Sequence, residues 1–190
     1  TQGGSKINVS IDDIINKISK EYKLVHRLDK DTSGLLIISK NKYSAKNFGI
    51  LFKSRLVLKT YLAICEGVPK LRESNVELDI KTKLNKVEKT KTFYKILNSS
   101  SSLSLILFKP MTGKTHQLRI VSKNMSAPIV GDIKYNNHSR YNNELLKLNA
   151  HVLKFTIYNK DYEFYSTLPM HFINFLKNNK LKFQEKVLGF

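Results

Sequence analysis

The sequence predicts an α+β protein with a mainly antiparallel, mixed β-sheet core and flanking helices. Three observations carry that expectation. Segments rich in β-branched and aromatic residues outnumber those with helical spacing. The helical segments are scattered between them instead of alternating one for one. No repeat, low-complexity linker or composition shift divides the 190 residues, so one domain over 1–190 is the economical reading.

The elements follow in chain order. Ser10 opens a helix, with Asp13 three residues on as an acidic capping box, and Ile11, Ile14, Ile15 and Ile18 give it one apolar face. A polar loop, 25–33, leads through Gly34 into a short buried-type strand, 35–38. Asn41 is placed to cap a second helix that turns Ala45, Phe48, Leu51 and Phe52 inward. Strand-forming residues dominate 57–65, 74–81, 90–97 and 103–108, with Lys89, Lys91 and Lys95 on alternate positions. Pro110, Thr112 and Gly113 mark a loop, after which Thr115 is expected to cap a helix running through Lys123. Two further strands, near 149–158 and 161–166, precede a closing helix over 171–182.

Composition narrows the function classes. The 33 Lys+Arg against 15 Asp+Glu give a net charge of +18, on a chain whose nine Tyr, ten Phe and 41% apolar residues are those of a globular protein. Its longest aliphatic run, 35–38, falls far short of a membrane span of about 20 residues. One cysteine, Cys65, makes no internal disulfide and no zinc ribbon, and it reads as a small hydrophobe on its strand. The five histidines show no pair at metal-ligand spacing on one element, and His138, His151 and His171 read as surface or core-edge residues. What remains is an intracellular protein whose charge points to a polyanion. A Lys/Asn-rich chain also reflects nucleotide bias, so charge alone names no substrate.

The densest polar cluster is His26-Arg27-Leu28-Asp29-Lys30-Asp31-Thr32-Ser33-Gly34, a loop running into a strand. Loops on rigid elements concentrate function, yet Asp-Thr-Ser-Gly is also ordinary turn chemistry, and composition leaves both readings open. Asp29-Lys30-Asp31-Thr32 fits the Asp-x-Asp-x-Thr pattern of Mg²⁺-dependent phosphatases, but there the motif ends an apolar strand, and here the apolar residues come after it. Lys109 to Thr115 invites a phosphate-loop reading that fails at Phe108, where the first glycine belongs. A helix start with Lys114, Thr115, His116 and Gln117 remains, and its free N–H groups favour an anion such as an RNA phosphate.

Taken together, these segments resemble the RluA-type family of RNA pseudouridine synthases. The 26–36 loop looks like the family's signature; Lys59-Thr60-Tyr61-Leu62-Ala63 with Gly67 is similar to its second motif; and 110–119 resembles the third. Pro128-Ile129-Val130-Gly131-Asp132 and Tyr135 follow at family spacing. The resemblance implies the pseudouridine synthase catalytic fold and a reaction without cofactor or metal. In it the uracil N1–C1′ bond breaks, the base turns, and a C5–C1′ bond forms. It implies Asp29 as nucleophile, Tyr61 against the base and taking the C5 proton, and Arg119 as the basic residue paired with the aspartate. His26, Arg27, Lys59, Lys114, Thr115, His116 and Gln117 are the implied RNA contacts, with Arg27 holding the flipped nucleotide or filling its place. Two of only five arginines, Arg27 and Arg119, stand in these motifs, where a planar fork does what lysine cannot.

The chain also departs from the pattern. Val121 and Asn149 stand where many relatives have histidine, and neither carries an assigned chemical role. The opening Thr1-Gln2-Gly3-Gly4 looks like the tail of a missing N-terminal strand, and an upstream S4-type RNA-binding domain would be absent as well. The Gly3-Gly4-Ser5 lead looks most like the large-subunit ribosomal RNA branch, with transfer RNA or dual specificity as the alternative. The expected setting is a cytoplasmic monomer acting on RNA, with neither DNA nor membrane as partner. A non-catalytic ribosome-assembly module that reuses the fold is the competing class.

Overall fold

A computed structural model describes residues 10–81 and 85–184 of the chain. Helix α1 (Ile11–Ile18) begins as the capping box predicts: the Asp13 amide donates to Ser10 Oγ, and Asp13 Oδ2 accepts the Ser10 amide at 2.7 Å. Its apolar face is only partly used, because Ile15 is buried while Ile14 and Ile18 stay largely exposed. Short strands β1 (Lys23–Leu24), β2 (Ser33–Gly34) and β3 (Ile38–Ser39) frame the polar loop. The buried strand expected over 35–38 does not form as one piece. Leu35 still donates to the Ala150 carbonyl at 2.9 Å, but the chain then leaves that neighbour and Ile38 pairs with Leu24 in a separate two-stranded sheet. Helix α2 (Lys42–Lys53) starts at Asn41, whose side chain accepts the Ser44 amide.

Six further strands build the main sheet: β4 (Leu58–Glu66), β5 (Glu73–Lys81), β6 (Val87–Ser99), β7 (Leu103–Pro110), β8 (Leu148–Ile157) and β9 (Lys160–Tyr165). Their order is β2-β8-β4-β7-β6-β5, with β9 also on β8, and every pairing is antiparallel except β2 with β8. The predicted α+β class and mixed, mainly antiparallel sheet are therefore observed.

The apolar run Leu62-Ala63-Ile64-Cys65 is fully buried because β4 is central and covered on both faces. Leu62 and Ile64 point to one face, where Phe172, Phe175 and Leu176 of helix α4 (Met170–Asn178) complete a core with Leu105, Leu107 and Val152. Burying an aromatic such as Phe172 stabilises the fold by about 2–3 kcal/mol. Ala63 and Cys65 point to the other face, against Leu118 and Val121 of helix α3 (Gln117–Asn124). Phe48, Leu51 and Phe52 of α2 pack on that same face, on Leu153, Phe155 and Val57. The functional loops lie between α2 and α3.

Two predicted helix ends shift. Helix α4 stops at Asn178, and Lys180 sits at φ 55°, so the expected continuation to 182 is broken by a left-handed residue. Thr115 does not cap α3: the cap position is His116, left-handed at φ 56° and without a side-chain cap bond. The buried Gln117 side chain braces the turn before the helix, its Oε1 accepting the Lys114 amide at 3.0 Å. His151 is wholly buried, not at the core edge as expected. The opening residues 1–9, including the Gly3-Gly4-Ser5 lead, lie outside the described residues.

Candidate active site

The sheet positions the polar loop through one short ladder. Ser33 and Gly34 pair in parallel with Asn149 and Ala150 of β8, and Ala150 in turn pairs with Tyr61 of β4. Gly34, at φ 107°, is required there, since a Cβ would lie 2.3 Å from the Ala150 carbonyl oxygen. Next to this row β8 carries an extra residue: Tyr61 opposes Ala150 while Thr60 opposes Val152, leaving His151 as a bulge. Beyond the bulge the same edge of β8 is handed from β2 to β9. The loop bearing Asp29 and the strand bearing Tyr61 are thus held in register by β8.

A cleft of about 810 Å³ opens at this point. Its walls are the 25–32 loop with the end of α2, and the 109–115 segment that leaves β7; the first residues of β4 form its floor. The loop closes on itself by a hydrogen bond from the Thr32 amide to the Asp29 carbonyl, with Asp31 left-handed at φ 69°. Asp29 and Tyr61 both line the cleft. Burial first, and then the Asp29 charge, push the Tyr61 phenol up to about 12. The Asp29 charge is also felt at His116, Arg119 and Tyr135.

Arg119 behaves differently from expectation. Its fork is committed to Asp132, with Nε donating to Oδ2 at 2.7 Å and Nη2 to Oδ1 at 2.6 Å. The expected bidentate grip on Asp29 is therefore not what holds this guanidinium; Arg119 stands behind the cleft lining and reaches Asp29 only as a charge. Burial opposes its cationic form, but the Asp132 hydrogen bonds and charge, with Asp29 and Tyr135 adding to them, raise its pKa. The guanidinium also lies 5.1 Å from the centre of the Tyr135 ring. His116 Nδ1 is 3.0 Å from the Tyr135 hydroxyl, and burial first lowers its pKa.

The remaining expected RNA contacts divide. Arg27 and Thr115 are exposed at the cleft, and Lys59 lines it. Lys114 also lines it, with Nζ 2.6 Å from Glu88. His26 is a strut: Nε2 accepts the Ile37 amide at 2.8 Å, the ring stacks on Phe52, and burial with the nearby Lys59 lowers its pKa to about 4. It is neutral at pH 7 and offers no charge to a phosphate. Gln117 is likewise structural. Its Oε1 accepts from Thr112 Oγ1 as well as the Lys114 amide, and Nε2 donates to Thr92 Oγ1 at 2.9 Å, so the amide locks the 111–116 turn onto β6. Having spent both ends on protein partners, it is not positioned to read RNA.

Sequence reasoning missed three contributors. Asp132 was noted only for its spacing, although a carboxylate inside the apolar Ile129-Val130 segment signals a buried partner. Asn149 was noted as a departure, yet it is fully buried and donates to Ser33 Oγ at 2.9 Å while Ser166 Oγ donates to its Oδ1. Arg55 carried no motif at all and lines the cleft. Among the described residues no cluster of three or more His, Cys, Asp or Glu side chains is arranged to hold a metal ion.

Comparison with known proteins agrees with this architecture. Residues 6–124 match the family described as RNA pseudouridylate synthase. The chain is 39% identical over 192 residues to ribosomal large subunit pseudouridine synthase C of Rickettsia bellii (strain RML369-C), covering 90% of this chain and 63% of that protein. It is 34% identical to ribosomal large subunit pseudouridine synthase D of Borreliella burgdorferi (strain ATCC 35210 / DSM 4680 / CIP 102532 / B31), covering 82% of this chain and 51% of that one. The solved structure of human RNA pseudouridylate synthase domain containing 4 superposes with a TM-score of 0.79 at 26% identity, covering 90% of this chain and 84% of that chain. The chain thus spans less than two thirds of the length of the curated relatives it matches. With its sheet, its signature loop and its sequence in agreement, this chain belongs to the RNA pseudouridylate synthase family.

Proposed function

We propose that this chain is the catalytic domain of an RNA pseudouridine synthase, an isomerase that converts specific uridines of large-subunit ribosomal RNA to pseudouridine. The observation that carries the reading is Asp29 in a basic cleft, with its charge acting on the Tyr61 phenol that lines the same cleft. Among the residues lining the cleft Asp29 is the only acid, against Arg27, Lys53, Arg55, Lys59, Lys109 and Lys114. Such a surface suits an RNA strand that delivers one flipped nucleotide to a nucleophile. The large-subunit target is supported by the names of the relatives with about 40% identity. The domain is proposed to work as a cytoplasmic monomer.

In this proposal Asp29 attacks as the nucleophile and the N1–C1′ bond breaks. The base turns, C5 bonds to C1′, the bond to Asp29 is broken and its carboxylate restored, the C5 proton leaves, and N1 ends protonated, so the isomerisation is balanced without an added reactant. Tyr61 packs against the base and takes the C5 proton. A phenol held near 12 is neutral in the resting site and a poor base there. The C5 proton leaves only after C5 has bonded to C1′, where it lies beside the C4 carbonyl and is acidic, so a weak base suffices. Arg119, fixed by Asp132, supplies the positive charge behind the site.

The test is incubation of a large-subunit ribosomal RNA transcript with the protein, followed by carbodiimide-primer-extension mapping. Wild type should place pseudouridine at a discrete position and Asp29→Ala should place none. Modification by Asp29→Ala at the wild-type rate would remove the nucleophile assignment. Equal RNA binding by both proteins with no modified uridine would favour a non-catalytic binding module.

A further inference from the structure

We propose that Arg55 and Lys59 form a phosphodiester site at the α2 end of the cleft, holding a phosphate of the RNA strand beside the target nucleotide. The assignment rests on the RNA reading above and adds to it Arg55, a place at the α2 end, and a phosphate shared with Lys59.

The backbone argument comes first. Arg55 follows the last turn of α2, where the Arg55 amide donates to the Phe52 carbonyl at 3.2 Å and the Leu56 amide to the Leu51 carbonyl at 2.9 Å. This is the closing turn whose left-handed residue is ordinarily glycine, and Arg55 occupies it at φ 60°. One of only five arginines in a lysine-dominated chain thus stands where a side chain is disfavoured. Its side chain is exposed and lines the cleft.

The charge argument is independent of it. Lys59 lines the same cleft, and a Cβ built on Gly113 across from it would come 3.4 Å from its Nζ. The Lys59 ammonium thus reaches across the cleft to the 109–115 wall. Among the described residues neither Arg55 nor Lys59 has a carboxylate within ion-pair distance, whereas Lys91, Lys95, Lys114, Lys147 and Lys154 all do. Burial and the neighbouring Arg55 charge both disfavour the Lys59 ammonium. His26 beside it is neutral and relieves nothing. Two cations held together at a cleft, with no carboxylate partner among the described residues, suit an anion, and a phosphodiester satisfies both: a fork for Arg55 and a point charge for Lys59.

The experiment measures binding of a fluorescein-labelled ten-nucleotide oligouridylate by anisotropy from 0.05 to 0.3 M KCl. Wild type is compared with Arg55→Gln, Lys59→Gln, the double variant, and Lys177→Gln on the opposite face as control. Each cleft substitution should weaken binding several-fold and lower the slope of log K against log salt by about 0.7, the double by about 1.4. The control should match wild type. Arg55→Gly guards against misfolding, because glycine suits the left-handed position: it should melt no lower than wild type yet bind as weakly as Arg55→Gln. A salt-dependent wild type whose slope is unchanged in both cleft variants would overturn the site while leaving the RNA reading intact. Salt-independent wild-type binding would remove the RNA reading, and the site with it.

Discussion

Asn149 donates to Ser33 Oγ across the parallel β2–β8 pair at 2.9 Å, fastening the loop that carries Asp29 to the strand that registers Tyr61. Asn149 also accepts from Ser166, so one buried amide joins the start of β2 to the end of β9. A residue that looked like a neutral departure from the family pattern is therefore a clamp next to the site.

Asn149→Ala should leave Ser33 and Ser166 without this partner and cost about 1–3 kcal/mol, a fall of roughly 2–12 °C in Tm. If the clamp positions Asp29, single-turnover isomerisation should slow about tenfold with little change in RNA affinity. A purely structural role would lower Tm and leave the rate of the folded fraction unchanged.

Breaking the Arg119–Asp132 pair should be more damaging. Asp132→Asn strands a buried guanidinium, and loss of one partner of such a pair costs about 3–5 kcal/mol. Urea melts should show a lower midpoint at unchanged slope. Arg119→Lys should not rescue function, because lysine cannot reproduce the two-point contact with Asp132.

The Tyr61 phenol reports on Asp29 directly. Its folded pKa lies near 12, above the ordinary 10, so the stability linked to its neutral form is intact below pH 10 and is lost as pH rises from 10 through 12. Asp29→Asn should lower the Tyr61 midpoint measured by ultraviolet difference titration. No movement would mean that burial alone sets the value.

His26 gives the opposite window. Its folded pKa is depressed from 6.5 to about 4, so the unfolded chain binds the extra proton between those values, and stability falls as pH drops from 6.5 to 4. The loss from this residue reaches about 3 kcal/mol at most, less whatever solvent screens. His26→Gln, which keeps an acceptor for the Ile37 amide, should flatten the difference between urea midpoints at pH 7 and pH 4.5.

Local rules account for much of what was legible. The Ser10–Asp13 box, the Asn41 cap and the alternation through Lys89, Lys91 and Lys95 depend on neighbours a few residues away, so short-range chemistry forecasts them. The signature loop was legible because its residue order is unusual, and the structure brings it to a cleft beside Tyr61. The failures share one cause. Thr115 does not cap α3, and the turn before the helix is fixed instead by Gln117, whose amide reaches a partner on β6 some 25 residues back. Segment 35–38 reads as one strand, but Leu35 follows β8 while Ile38 follows β1, and local pattern does not reveal a change of partner.

The sequence by itself determined the class of sheet and the family, and it nominated the set Asp29, Tyr61 and Arg119, since residue type, order and alternation are one-dimensional properties. The tertiary structure decided what each side chain is free to do. It gave the Arg119 fork to Asp132, spent His26 and Gln117 on backbone and hydroxyl partners, and made Asn149 the clamp of the loop. The physical reason is that a buried polar group must be paired, and its partner in space lies 5 to 116 residues away along the chain in bonds such as these. Spacing names the actors; only packing shows which of them still has a hand free for the substrate.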